Sequence, residues 1–337
     1  SQLHQWTEVE GASLVGIFGL GGQGKTTLTT DLVWRLVEQK PATAVNNGIE
    51  AQRFERIVWR SLVNGPLFSE VLMGWLSFLG DQPVTSVPPQ IDEQLALLFD
   101  HLRRHRCLLI LDNVEQILLQ ENASSEAFRS SYEAYKQVFQ QLSQRVHRSC
   151  LLLISRVQPK GFDTLDIDSD GVHTLHLHGL SSEAGKQLLR KQRLIGSTDA
   201  IRTLMARYSG HPLALKLVTM TVQQFFAGDL EAFLNHESLL ADDVCQILDE
   251  QFMSLSVLEQ KILFYLAAHA APTLFPALQN DLSPSASRHA LLDALRALQR
   301  RSLLEIGEDG FRLPHVVSTY LHTDAREVVN HTPRVPA

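Results

Sequence analysis

The sequence predicts an α/β fold, a parallel sheet with helices on both faces, followed by a helical region and then by helices ending in one hairpin. Three observations predict it. Five short apolar runs, at residues 14–19, 56–62, 107–112, 150–155 and 172–177, alternate with helical patterns. That alternation builds a parallel sheet, because each crossover helix covers a sheet face. A glycine-rich stretch at 19–24 joins the first run to the first helical pattern, a strand–loop–helix order. After Leu177 the strand signal stops and helical patterns continue.

Each run is bounded by turn or polar residues and is short enough to be a buried strand. The helical stretches between them lie at 25–38, 69–79, 91–106 and 126–146, and a loop with Pro83, Pro88 and Pro89 spans 80–90. Ser181-Ser182-Glu183 reads as a helix start leading into 184–194. Pro212 suits the first turn of a helix to about residue 226. Helices at 244–253, 256–269 and 287–300 precede a hairpin of 302–306, a turn at 307–310 and 311–313. Helices followed by one hairpin suggest a winged-helix domain. The expected division is 1–177 for the sheet domain, 178–240 for a helical domain, 241–330 for the winged helix and 331–337 for a tail. There is no internal repeat and no low-complexity tract.

The chain of 337 residues is 44% hydrophobic and 20% charged, ample for a core. A net charge of −7 does not favour a nucleic-acid partner through bulk electrostatics. Cys107, Cys150 and Cys245 have neither metal nor disulfide spacing, so they are expected to be reduced, buried thiols in a cytoplasmic protein. No apolar run is long enough to span a membrane, and no signal peptide is visible. The start at Ser1 and the loose end from Thr332 to Ala337 suggest a piece of something longer.

Residues 19–26 read Gly-Leu-Gly-Gly-Gln-Gly-Lys-Thr, the full G-x-x-x-x-G-K-[ST] pattern of a P-loop. Glycines let the backbone wrap a phosphate and aim its N–H groups at the oxygens, and the following helix start adds partial positive charge. Lys25 is expected to reach the β- and γ-phosphates of ATP or ADP, and the Thr26 hydroxyl to ligate Mg²⁺. Gly19, Gly21, Gly22, Gln23, Gly24 and Thr27 complete the cofactor-binding set. The fold class is then a P-loop NTPase. A plain glycine-rich turn would need neither Lys25 nor Thr26.

A P-loop needs a second Mg²⁺ partner at the end of a neighbouring strand. The run at 107–112 ends in Asp112, at the sheet edge where open parallel sheets bind ligands. Asp112 is read as the Walker B acid; an apolar run ending in Asp can by itself be a turn. The run at 150–155 ends in Ser155-Arg156, and Arg156 is either a γ-phosphate sensor or a solvated arginine. Lys25, Asp112 and Arg156 form the expected catalytic set.

These motifs, in this order, resemble the NB-ARC branch of the STAND signalling ATPases, which includes plant resistance proteins, the apoptosome scaffold and bacterial multidomain regulators. Residues 54–61, ending in Val58-Trp59-Arg60-Ser61, look like the family's second strand. Residues 107–115 look like its Walker B region, and Ser155-Arg156 like its sensor pair. Gly210-His211-Pro212-Leu213-Ala214-Leu215 looks like the G-x-P-L-A motif, whose proline packs on the nucleotide base; Pro212 also suits a plain helix start. Residues 291–304 with 311–317 look most like cyanobacterial members, which typically carry C-terminal WD or TPR repeats.

Three departures qualify the likeness. Asn113 stands where the family has a second acid thought to orient the attacking water, and Glu115 lies two residues further on. Slow hydrolysis is therefore expected. The family's Met-His-Asp segment is degenerate, with Pro314 and His315 at the histidine and aspartate positions. His315 is either a β-phosphate contact or a surface histidine. Residues that hold the base upstream of the first strand are expected before Ser1.

The resemblance implies a switch that binds ADP or ATP with Mg²⁺, closes on ADP, and self-associates in the ATP state. Its sensor and effector domains are expected in the flanks. One alternative is an ATP-dependent transcription regulator using the winged helix on DNA. Arg296, Arg300 and Arg301 would supply charge, but Asp293, Glu305, Glu308 and Asp309 interrupt any basic face. A conventional turnover ATPase or phosphotransferase is the other, against which Asn113 argues.

Overall fold

The five apolar runs form one parallel sheet. In the computed structural model β1 is Leu14–Phe18, β2 Arg56–Ser61, β3 Cys107–Asp112, β4 Cys150–Ser155 and β5 Val172–His176, in the spatial order β2-β3-β4-β1-β5. The structure describes residues 2–38, 53–80, 83–144, 147–192, 194–235, 242–269, 271–282, 286–307 and 309–322. The expected tail at 331–337 lies outside them.

The chain divides into two units, the first of 1–19 with 25–177, the second of 20–24 with 178–337. In the first, β1, β3 and β4 are buried at every position. Covered on both faces, they need continuous apolar sequence. β2 and β5 are edge strands, half exposed, and carry Arg56, Arg60, His173 and His176. Side chains alternate between two cores. Leu14, Leu109, Leu111, Leu151 and Leu153 face α2 (Phe68–Leu79), α3 (Ile91–Arg104) and α5 (Glu126–Gln144) through Trp75, Phe99 and Tyr135. Val15, Ile17, Leu108, Ile110 and Leu152 face Leu32 and Leu36 of α1 (Lys25–Glu38). Helix α3 stops at Arg104, two residues before the expected end, because His105 turns extended to lead into β3. Short helices α4 (Glu115–Leu118) and α6 (Phe162–Asp168) had no sequence signal. Burial pushes the Cys107 and Cys150 thiols up to about 11 and about 12, which removes thiolate chemistry at neutral pH.

Register aligns the C-terminal ends of the strands. Ser61 pairs with Asp112, Asp112 with Ile154, and Phe18 with Ser155, so the ends of four strands lie in one row.

The second unit is helical: α7 (Ser182–Lys191), α8 (Thr198–Arg207), α9 (Pro212–Phe225), α10 (Leu230–Leu234), α11 (Asp242–Met253), α12 (Val257–Ala268), α13 (Phe275–Leu282) and α14 (Arg288–Arg300). Most starts are capped by a short polar side chain, as at Ser181, Ser197, Asp229 and Ser287; Ser256 and Glu259 form a capping box. After α14, β6 (Glu305–Gly307) and β7 (Gly310–Arg312) pair antiparallel, and Thr273 exchanges two 2.9 Å backbone hydrogen bonds with Phe311. Among the described residues no helix is long and apolar enough to cross a membrane.

Candidate functional site

Between Phe18 and Lys25 the backbone takes conformations closed to most side chains. Gly22 has φ +80° and Gly24 φ +86°. A Cβ on Gly22 would lie 2.8 Å from Leu213 Cβ and 2.9 Å from His211 Cε1, so this position has neither the torsion nor the room for alanine. The turn is braced from within, as the Gln23 side-chain oxygen accepts from the Leu20 N–H at 3.1 Å. The tip 20–24 groups with the second unit. There Gly21 carbonyl lies 2.9 Å from His211 Nε2, and Leu213 N–H donates to the Gly22 carbonyl at 3.3 Å.

Lys25 opens α1 and is 8% exposed. Its Nζ donates to the Gly19 carbonyl at 2.8 Å. Desolvation by burial lowers the ammonium to about 8, against the pull of Glu115 and Asp112 and with the push of Arg156. One residue on, the Thr26 hydroxyl donates to Asp112 Oδ2 at 3.2 Å. Asp112 also accepts the Asn113 N–H at 2.9 Å. Burial nevertheless holds the Asp112 carboxyl above its ordinary value, with those two donors pulling it back. A buried carboxylate beside a threonine hydroxyl suits a hard divalent ion that draws its other ligands from water and phosphate.

The sheet order corrects one expectation. Asp112 is not on the strand next to the loop; β4 lies between β1 and β3. Ser155, the last residue of β4, thereby lies between the ends of β1 and β3, with Arg156 following it. Both residues converge on Glu115. Ser155 Oγ donates to Glu115 Oε2 at 3.0 Å, the Arg156 N–H donates to the same oxygen at 3.1 Å, and Arg156 Nε lies 3.5 Å from Oε1. Asn113 faces elsewhere. Its backbone is left-handed, φ +61°, and its side-chain amide donates to Ser61 Oγ at 3.1 Å, toward the β2 edge.

Of the residues expected at the site, Gly19, Lys25, Thr26, Asp112 and Arg156 gather at this strand edge, and Thr27 is exposed on α1. Pro212 is the first residue of α9 and half-buried. His315 is exposed in the second unit, with Nδ1 3.0 Å from the Thr319 hydroxyl. Sequence reasoning left Glu115 without a direction and passed over His211. Both could be found in the sequence only as polar residues inside motifs, Asp112-Asn113-Val114-Glu115 and Gly210-His211-Pro212.

Lys25 gives the site a pH signature. In the folded chain it loses its proton near pH 8, and in the unfolded chain near 10.5. Between those values the unfolded chain holds more protons, so stability rises with pH across that window. A polyphosphate beside Nζ restores the charge. Binding of MgADP at about pH 8.5 is therefore expected to take up roughly three-quarters of a proton, falling toward zero near pH 7. Calorimetric binding enthalpies in buffers of different ionisation enthalpy measure this directly.

No family model matches the chain. It is 35% identical over 329 residues to an uncharacterised WD repeat-containing protein of Nostoc sp.; the match covers 96% of this chain and 26% of that protein. The chain thus spans about a quarter of the curated relative it matches. Among solved structures, a Walker-type ATPase of Pyrococcus abyssi superposes with a TM-score of 0.63 at 12% identity, covering 94% of this chain and 93% of that one. The ORC2 protein of Aeropyrum pernix, in ADPNP-ADP complexes, reaches 0.49 at 18% identity over 96% and 92%. The fold is that of a P-loop ATPase, a five-stranded parallel sheet with helical additions.

Proposed function

We propose that this chain is the nucleotide-controlled switch module of a STAND-type ATPase of the NB-ARC branch, binding ADP or ATP with Mg²⁺. One observation carries the reading: a glycine loop with a desolvated lysine beside it, a Thr26–Asp112 pair, and an arginine held at the same strand edge by a carboxylate. Lys25 would neutralise phosphate charge. Thr26 and Asp112 would hold Mg²⁺, which when bound screens the phosphate oxygens. Arg156 would contact a γ-phosphate, and Glu115, whose Oε1 lies 3.5 Å from Arg156 Nε, would position the guanidinium. An ATP-dependent pull on Arg156 is the kind of difference in contacts that biases a two-state arrangement.

The helical segment 178–240 and the helices with the β6–β7 hairpin, taken as a winged helix, would be the parts that rearrange, with Pro212 packing on the base and His315 contacting the ADP β-phosphate. WD repeats in the Nostoc relative fit a sensor array joined to such a module. The purified chain is expected to carry ADP through gel filtration. Exchange for a non-hydrolysable ATP analogue with Mg²⁺ should increase its mass by light scattering. A chain that purifies empty and keeps one mass in ADP and in the analogue would defeat the switch reading.

A further inference from the structure

His211 is a buried ring, 4% exposed. The Ala214 N–H lies 3.2 Å from Nδ1 and can only donate, so Nδ1 is the bare acceptor. Nε2 then carries the proton and donates to the Gly21 carbonyl at 2.9 Å. The imidazole has two jobs: it caps α9 and it holds the loop tip.

The second job has a geometric consequence. A trans peptide is planar, so its C=O and N–H point in opposite directions. Drawing the Gly21 carbonyl toward His211 turns the Gly22 N–H away from it. Leu213, the first α9 residue with an N–H because Pro212 has none, takes the next carbonyl, that of Gly22. Two consecutive loop carbonyls are thus fastened to the start of one helix. Carbonyls free to rotate would present negative dipole ends to an anion; fastened, they leave amides for it.

We propose that His211 is a positioning residue that holds the phosphate-loop tip in its anion-cradling conformation. This rests on the reading of residues 19–26 as a nucleotide site, and it assigns to the G-x-P-L-A segment an anchoring role beside any base contact of Pro212.

Two variants separate the jobs. His211→Asn keeps an N-cap acceptor for Ala214 but is too short to reach Gly21. His211→Ala removes both bonds. The Asn variant is expected to melt within a degree or two of the parent, as a retained cap allows, yet to bind MgADP about five- to tenfold more weakly. The Ala variant should lose both affinity and melting temperature. In the parent, ring ¹⁵N shifts should report the Nε2-protonated tautomer. An Asn variant with parental affinity, or an Nδ1-protonated ring, overturns the proposal. If the parent binds no MgADP at all, the nucleotide reading itself fails. The anchor is then judged by hydrogen exchange of the Gly22 amide, where faster exchange in the Asn variant supports it and equal rates refute it.

Discussion

Replacing Lys25 with alanine will abolish measurable binding of MgADP and MgATP while leaving the ligand-free chain about as stable as the parent. The two halves have one cause. Nζ is buried and donates to the Gly19 carbonyl, and burial has lowered its proton affinity from 10.5 to about 8. That corresponds to about 3 kcal/mol of charging cost at neutral pH. Removing the side chain removes this cost, which offsets the aliphatic packing lost from a position 8% exposed. The polyphosphate loses its charge-assisted hydrogen bonds, each worth roughly 1.5–3 kcal/mol, so affinity should fall at least about 100-fold. Calorimetric titration gives the first quantity and thermal denaturation without ligand the second. A variant that still binds with parental affinity would remove the phosphate-loop assignment; one that loses binding by unfolding would show a collapsed melting temperature instead.

Slow hydrolysis should depend on Glu115 and not on position 113. The Glu115 carboxylate is aimed at Ser155 and Arg156 and is close enough to Lys25 and Asp112 to perturb both. Asn113 turns its amide toward Ser61. Glu115→Gln keeps the shape, removes the charge opposite Arg156 and removes any base for an attacking water. Single-turnover hydrolysis of ATP is expected to fall roughly 100-fold, the usual scale for losing a general base. Asn113→Asp, which supplies the acid that sequence position alone would ask for, should leave the rate within about twofold of the parent. A rate restored by Asn113→Asp, or untouched by Glu115→Gln, would show that the water is oriented from the other strand edge.

The three central strands were legible because they are buried on both faces. A strand such as Cys107–Asp112 can be nothing but apolar until it reaches the edge, and its first polar residue marks that edge. Helices α1 and α9 were legible through their starts, a glycine loop before Lys25 and Pro212 at the first position. The short helices α4, α6 and α10 were not: four, seven and five residues give too few turns for a period to show. Thr273, which joins the hairpin by backbone bonds alone, leaves no trace in side-chain pattern.

Local sequence determined the phosphate loop, Lys25, Thr26 and the carboxylate ending β3, because each is demanded by torsion or charge at its own place in the chain. Tertiary structure alone decided that β4 is inserted between β1 and β3, that Glu115 rather than residue 113 faces Arg156, and that His211 reaches Gly21 across 190 positions. Strand order and the direction of a side chain follow from packing between segments distant in sequence. A one-dimensional pattern specifies which residues must be covered, but not which of them meet.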